Sequence, residues 1–109
     1  MSISRVSKSI KLTDDDFLAL QKASDNSSSE SFREYCEVVV CHFMDKNTNK
    51  EELLLLKPAK SAAYRPIALS FSVAKRLKKF ATSVDASANS IIHTAFKQSV
   101  AESVDLISI

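Results

Sequence analysis

Few side chains in this sequence have the types and spacing that metal binding or redox chemistry requires. The cysteines are Cys36 and Cys41, and the histidines are His42 and His93. No CxxC or HxxxH spacing relates them, so we expect no metal site. On one helix, cysteines five residues apart place their Cα atoms about 8 to 9 Å apart, beyond the limit of about 7 Å for a disulfide. Both thiols are therefore interpreted as small apolar side chains in a reducing compartment.

Composition argues against several classes of enzyme. The 109 residues include no glycine, which phosphate-binding loops, dinucleotide-binding fingerprints and GxSxG elbows need for tight turns or close backbone approach. Asp14, Asp15 and Asp16 are adjacent carboxylates, but ahead of a helical pattern they complement the helix dipole instead of forming a catalytic pair. We therefore expect no enzymatic activity and no cofactor.

Charge and hydropathy are both mild. Fifteen Lys and Arg against thirteen Asp and Glu leave a net charge of +2, which is too small to establish a nucleic-acid partner by itself. The apolar run Leu53 to Leu56 is far too short to span a bilayer. Residues 1–11 contain basic residues and serines but no apolar segment of a secretory signal. The sequence thus predicts a cytoplasmic protein without membrane contact.

The hydrophobic pattern predicts strand, helix, helix in the first half of the chain. Val6, Lys8, Ile10 and Leu12 alternate with Arg5, Ser7, Ser9 and Lys11, as in a strand with two different faces. Thr13 is predicted to cap a first helix, and Ser27 with Glu30 to form the capping box of a second. The apolar stripe of that second helix is Phe32, Tyr35, Cys36, Val39 and Phe43.

The second half repeats this order. Ile67, Leu69 and Phe71 alternate with Pro66, Ala68 and Ser70, which predicts a second strand. Ser72 is predicted to cap a third helix and Ser87 a fourth. The two halves overlay at an offset of 60 residues along the helices and 59 along the strands. The chain is therefore divided into a first unit at 1–46, a connector at 47–63 whose leucines need covering, and a second unit at 64–109.

A short strand, a Ser or Thr cap and two amphipathic helices resemble the ribbon-helix-helix family of DNA-binding proteins, of which Arc and MetJ are members. The residues that carry the resemblance are Ser9 to Thr13 with Phe17 and Phe32 in the first half, and Ala68 to Ser72 with Leu77 and Ile92 in the second. Two such units in one chain are similar to the tandem arrangement of TraY-type conjugation accessory proteins.

The resemblance implies a mainly α fold, in which two ribbon-helix-helix units pair their strands as a two-stranded antiparallel ribbon packed on four helices. We expect the two strands to pair within this one chain, so that the two units form one pseudo-dimeric domain, and pairing between two chains is left open. The inward residues would then be Ile10, Leu12, Leu69 and Phe71. We expect Leu12, Phe32, Phe71 and Phe96 to be buried between ribbon and helices.

A ribbon of this kind fits the major groove of DNA, where its outward side chains meet base edges. The residues expected to contact bases are Ser7, Ser9, Lys11, Ala68 and Ser70. Backbone N–H groups at helix openings and basic side chains bind phosphates. The residues expected to contact phosphates are Arg5, Ser28, Ser29, Lys78, Lys79, Ala88 and Asn89.

We therefore expect sequence-specific binding of double-stranded DNA by a transcriptional regulator such as a repressor, or by an accessory factor in plasmid conjugation. Self-association on DNA is left open. The alternative is a protein-interaction module, such as an antitoxin that masks a toxin partner. A steep salt dependence of DNA binding would separate the two.

Overall fold

Within the residues that the structure describes, the chain folds as four helices and one two-stranded antiparallel sheet, in the order strand, helix, helix, repeated once. The computed structural model describes residues 5–47, 53, 55–58 and 60–107, with side chains at these positions except 5 and 102–107. The elements are β1 (Arg5–Leu12), α1 (Asp14–Asp25), α2 (Phe32–Lys46), β2 (Ala63–Ser70), α3 (Phe71–Ser83) and α4 (Ala88–Ile107). The predicted coarse class, mainly helical with an antiparallel pair of strands, is confirmed.

The two strands pair with each other within the single chain. The register sets Ser7 opposite Ala68, Ser9 opposite Pro66 and Lys11 opposite Tyr64. Antiparallel pairs alternate between hydrogen-bonded and non-hydrogen-bonded positions, and proline has no N–H to donate. We infer that Ser9 and Pro66 form a non-hydrogen-bonded pair, so the pairs two residues away on either side are of the same kind. Their C=O groups then point to the free edges of the ribbon.

Polar side chains begin each helix by accepting a backbone N–H. Thr13 Oγ1 accepts from Asp16 N at 3.1 Å and Ser87 Oγ from Ser90 N at 3.1 Å, so these two predicted caps are confirmed. The predicted capping box of Ser27 and Glu30 is wrong, because α2 begins four residues later. There Ser31 Oγ accepts from Glu34 N at 3.1 Å.

The predicted cap of α3 at Ser72 is also wrong, and the true position of the cap changes where the neighbouring Phe71 side chain lies. Ser70 ends β2 and also caps α3, its Oγ accepting from Val73 N. No loop separates strand from helix, so Phe71 is the first helical residue and leaves the strand alternation. Phe71 is 61% exposed, and the expectation that it faces the core is wrong.

The turn between α3 and α4 is closed without glycine. Asp85 has φ 56°, in the left-handed region, which Asp tolerates better than most residues because its short polar side chain bonds locally. Asp85 N donates to Thr82 O at 3.3 Å and Ala86 N to Ala81 O at 2.9 Å. These bonds satisfy carbonyls at the end of α3 and direct the chain into α4.

The core lies between the inner face of the ribbon and the helices. Ile10, Leu12, Ile67 and Leu69 contribute from the strands. The helices contribute Leu20, Cys36, Val39, Val40, Phe43, Met44, Leu77, Ala81, Ile91, Ile92, Ala95 and Phe96. Burial of Leu12 and Phe96 is confirmed, and Phe32 is only partly buried against this cluster.

The halves are interlocked through their second helices. Helix α2 of the first half packs on β2 of the second, and α4 of the second half packs on β1 of the first. The two second helices cross each other, where Tyr35 Oη and Ser99 Oγ lie 2.9 Å apart. Each half thus completes the core of the other, which a lone strand with two helices cannot do for itself.

Equivalent positions in the halves are 57 residues apart, not 59 or 60. The caps Thr13 and Ser70 have this spacing, as do the buried residues Leu20 and Leu77. The second helices begin at caps 56 residues apart, Ser31 and Ser87. The predicted offsets were too large because they depended on the misplaced caps Ser27 and Ser72.

The segment between α2 and β2 contacts the domain at its apolar part. Leu53 packs against the core, and Leu56 N donates to Thr94 Oγ1 on α4 at 2.9 Å. Leu55 and Leu56 remain more than one-third exposed. Leu54 lies outside the described residues. The expected covering of the leucines is therefore only partial.

Candidate nucleic-acid interface

The outer face of the ribbon collects most of the residues predicted to contact bases. Ser7, Ser9 and Lys11 are exposed on β1, and Ala68 is half-buried on β2 directly opposite Ser7. Side chains of directly opposed residues lie on the same face of a sheet, which places all four together. Pro66 and Tyr64 complete the face on β2.

Ser70 is predicted to contact bases, but its hydroxyl and its backbone N–H form hydrogen bonds within the protein. Its Oγ accepts the first-turn N–H of α3, and its own N–H donates to the Glu37 carboxylate on α2. It pairs with Arg5 at the very end of the ribbon. The structure therefore gives Ser70 a helix-capping role at the end of the face, away from its centre.

Tyr64 is a residue of this face that sequence reasoning missed. Its ring is 65% exposed, and the Lys11 Nζ lies 5.2 Å from the ring centroid. A cation over an aromatic ring is attracted by the negative face of the π system. The missed signal was the alternation of Tyr64 with Arg65 ahead of Pro66, because the predicted outer face of the second strand began only at Pro66.

Two side chains of α4, one helical turn apart, fix the backbone behind Lys11. Asn89 Nδ2 donates to Ser9 O at 3.3 Å, and His93 Nδ1 lies 2.9 Å from Lys11 O. A carbonyl only accepts, so Nδ1 of His93 carries the proton in this bond. Its buried Nε2 has no partner within the described part of the chain. These bonds hold the free edge of β1 against α4.

The openings of α2 and α4 lie at the two flanks of the ribbon. Ala88 and Asn89 form the first turn of α4, as predicted. The expectation that Ser28 and Ser29 open α2 is wrong, because both precede the cap Ser31. Ser29 N instead donates to Ser27 Oγ at 3.2 Å, in a turn before the helix.

Arg33 occupies the place in α2 that Asn89 occupies in α4, the second position of the helix. Its side chain is exposed and lines a cleft with Pro66 and Ala68 of β2. Sequence reasoning overlooked Arg33 because it misplaced the start of α2. A guanidinium beside free N–H groups of a helix start is well suited to bind a phosphate.

The predicted phosphate contacts on α3 lie on another side of the molecule. Lys78 and Lys79 are exposed, and they line a groove with Val6 and Lys8 of the inner face of β1. They do not border the outer face formed by Ser7, Ser9 and Lys11. The side chain of Arg5 lies outside the described residues, so its predicted phosphate contact is not addressed.

The cysteine thiols are free, with Cys36 buried and Cys41 half-buried. Burial, with a further contribution from the Glu37 carboxylate, raises the pKa of Cys36 to about 12 from 9.0. Burial also raises the pKa of half-buried Cys41, while the nearby Arg76 opposes that change.

In the part of the chain with described side chains, no three metal-binding side chains form a cluster. No helix there is long and apolar enough to cross a bilayer.

Comparison with known proteins adds no further identification. No family model matches this chain, and no match was found among curated proteins or solved structures.

Proposed function

We propose that this chain binds double-stranded DNA sequence-specifically, with the outer face of the β1–β2 ribbon in the major groove. The observation that carries the proposal is the ribbon itself. A single antiparallel pair exposes Ser7, Ser9 and Lys11 opposite Ala68, Pro66 and Tyr64. The major groove is about 12 Å wide and admits a two-stranded ribbon.

The chemistry of this face suits base readout. Lys11 donates to guanine O6 and N7, serine hydroxyls donate or accept, and the Ala68 methyl contacts the thymine methyl. The bonds from Asn89 and His93 to the β1 carbonyls preorganise the strand that carries Lys11. A rigid strand loses little conformational entropy on binding, which favours specificity over general attraction.

Phosphate contacts come from the helix openings at the two flanks. The first turns of α2 and α4 present backbone N–H groups, with Arg33 and Asn89 as the adjacent side chains. Such contacts fix the register of the protein on the duplex, and the ribbon reads the sequence. Lys78 and Lys79 belong to the groove on the inner side and are not needed for this mode of binding.

This mode corresponds to a tandem ribbon-helix-helix protein of the Arc and MetJ type, with both units in one chain as in TraY-type proteins. Its physiological role would be that of a transcriptional regulator or of an accessory factor in plasmid conjugation.

The test selects a preferred duplex from a random library and titrates it and a scrambled duplex with the full chain. Each phosphate neutralised by Lys or Arg contributes roughly −0.9 to the slope of log K against log salt, so we expect a clearly negative slope between about 50 and 200 mM salt. No enrichment in the selection, or a flat salt dependence for every duplex, would refute DNA binding.

A matched pair of serine variants locates the binding face. Ser9→Glu places a carboxylate at the centre of the ribbon, and it should weaken binding of the selected duplex by about tenfold or more through repulsion of the DNA. Ser83→Glu changes an exposed serine at the end of α3 and should have an effect below about threefold. Equal losses in both variants would show that net charge alone drives binding.

A further inference from the structure

An open groove of about 620 Å³ lies between the inner face of β1 and helix α3. Its apolar lining is formed by half-buried Val6, Ala74 and Ala88, together with the exposed Phe71. Its rim carries the four lysines Lys8, Lys75, Lys78 and Lys79, and no acidic side chain lines it.

In the first half of the chain the equivalent space is filled. There Phe17 and Phe32 stand at the positions of Ala74 and Ala88, and Arg65 at the position of Lys8. The two rings meet edge to face with centroids 5.7 Å apart, and the Arg65 guanidinium lies 4.9 Å from the Phe17 centroid.

A carboxylate completes this arrangement in the first half. Asp14, four residues after Ile10 and three before Phe17, forms an ion pair with Arg65. In the second half Phe71 stands in its place. The groove thus has two alanines where its counterpart has aromatic rings and a phenylalanine where its counterpart has a carboxylate, while it keeps the cation on the strand.

The lysines on the rim have no acidic partner in the described part of the chain. The ion pairs found there join Arg65 to Asp14, Arg76 to Asp45 and Lys97 to Asp16. Four lysines around one groove repel each other, so binding a group of carboxylates lowers the energy of the site.

We propose that this groove binds an acidic segment of a partner protein, which inserts a large apolar side chain, such as Phe, between Ala74 and Ala88 and sets carboxylates against the lysines. The first half provides the template, since Asp14 and Phe17 occupy the equivalent space. Apolar anchors in a pocket with charged groups at the rim are the usual arrangement of a specific protein interface.

An acidic protein segment accounts for the groove better than DNA does. A phosphate backbone would satisfy the lysines but would leave Val6 and the two alanines uncovered. Val6 and Lys8 lie on the inner face of β1, opposite to Ser7 and Ser9. The groove and the outer face are therefore different surfaces of β1, and partner binding does not depend on the proposed DNA binding.

The probe for the test is a fluorescent peptide with the sequence of residues 13–24 of this chain, which carries three aspartates ahead of a phenylalanine. Titration of the full chain, without DNA, should give saturable binding, with amide shifts in NMR spectra confined to Val6, Ala74 and their neighbours. Peptides in which the phenylalanine is alanine, or the three aspartates are asparagines, should each bind about tenfold more weakly.

Two variants of the protein test the location. Ala74→Phe supplies the missing ring and should reduce peptide affinity about tenfold or more, while its midpoint of urea unfolding stays unchanged or rises. Ala101→Phe, a change at an exposed position on α4, is the matched control and should bind the peptide normally. Lys75→Glu should weaken the peptide complex more than Lys22→Glu on α1.

Three results would overturn the proposal. The first is no saturable peptide binding up to about 1 mM. The second is equal loss of binding in Ala74→Phe and Ala101→Phe. The third is competition between duplex DNA and the peptide together with a parallel loss of DNA affinity in Ala74→Phe, which would assign the groove to DNA. If the chain binds peptide but no DNA, only the proposed DNA function fails.

Discussion

Ser9 and Pro66 lie directly opposite each other at the centre of the ribbon, and they are also equivalent residues of the two halves. The approximate two-fold relation between the halves therefore passes between them. Applied to the outer face, it matches Ser7 with Tyr64 and Lys11 with Ala68. The face carries a lysine at one end and a methyl group at the other, so we expect a single chain to prefer an asymmetric DNA site.

The first prediction concerns this lysine. Lys11→Ala should cost about 1 to 3 kcal/mol on the selected duplex and little on a scrambled one, because a donor to a base edge contributes only where the right base is present. Titrations of both duplexes at one fixed salt concentration measure the two losses.

Lys22→Ala provides the control for that experiment. Lys22 is exposed in the last turn of α1, nine residues and about 13 Å along the helix axis from Thr13. Lys22→Ala should change the affinity for the selected duplex and for the scrambled duplex only by a small electrostatic effect. If Lys11→Ala lowers both affinities equally, Lys11 contacts phosphate and does not read bases.

The second prediction tests strand pairing within one chain. In a background of Cys36→Ala and Cys41→Ser, the double substitution Ser7→Cys with Ala68→Cys should oxidise to a disulfide inside the monomer. Directly opposed residues at a non-hydrogen-bonded position are close enough for a disulfide. The readouts are mobility in a non-reducing gel and the mass of the linked tryptic fragments.

The diagonal pair of substitutions, Ser9→Cys with Ala68→Cys, is the control, and it should oxidise more slowly because the register does not set these residues opposite each other. Formation of covalent dimers as the main product of the Ser7 and Ala68 pair would mean that the ribbon forms between two chains.

Sequence pattern was sufficient for the order of the elements and for the outward position of Ser7, Ser9 and Lys11, because both follow from local periodicity. Alternation in β1 and β2 places Ser9 and Ala68 on the outer face of the ribbon and Ile10 and Leu69 on its inner face. Helix starts were harder, since Ser27, Ser28, Ser29 and Ser31 are all suitable caps by type. The start of α2 depends on how the helix packs on β2, and that contact comes from the other half of the chain.

Phe71 shows the same limit for the core. Its alternation with Leu69 predicts that the Phe71 side chain is buried, but this prediction holds only if the strand continues past Ser70. Because Ser70 caps α3, the next side chain follows the helical rotation of about 100° per residue instead of the 180° of a strand. The groove beside Phe71 could not be inferred either, because it depends on the folded chain bringing Ala74 of α3 and Ala88 of α4 to the same part of the surface.

The third prediction compares two phenylalanines of opposite exposure. Phe96 is 1% exposed in the core, whereas Phe71 is largely in solvent. Phe96→Ala should cost about 3 to 5 kcal/mol of unfolding free energy, through lost burial and a cavity. Phe71→Ala should cost less than about 1 kcal/mol. Urea unfolding of both variants gives the comparison, and similar losses would contradict the assigned strand end.

The last prediction follows from the buried thiol of Cys36. Its pKa of about 12 in the folded chain exceeds the ordinary 9.0 because burial disfavours the thiolate and the Glu37 carboxylate adds repulsion. Above pH 9 the unfolded chain loses this proton while the folded chain keeps it. The contribution to stability is therefore complete below pH 9 and is lost as pH rises toward 12, by about 2 kcal/mol at about pH 10.5.

Urea unfolding of the unsubstituted chain and of Cys36→Ala between pH 8 and about pH 10.5 measures this contribution. All other ionisable groups are common to both proteins, so their effects cancel in the difference. Cys36→Ala carries a cost of lost packing that does not depend on pH, and its unfolding free energy should fall less steeply with pH. Cys41→Ala is the control, because that thiol is half-exposed and Arg76 opposes the rise in its pKa. Parallel pH profiles for Cys36→Ala and the unsubstituted chain would show that Cys36 ionises as readily in the folded chain as in the unfolded one.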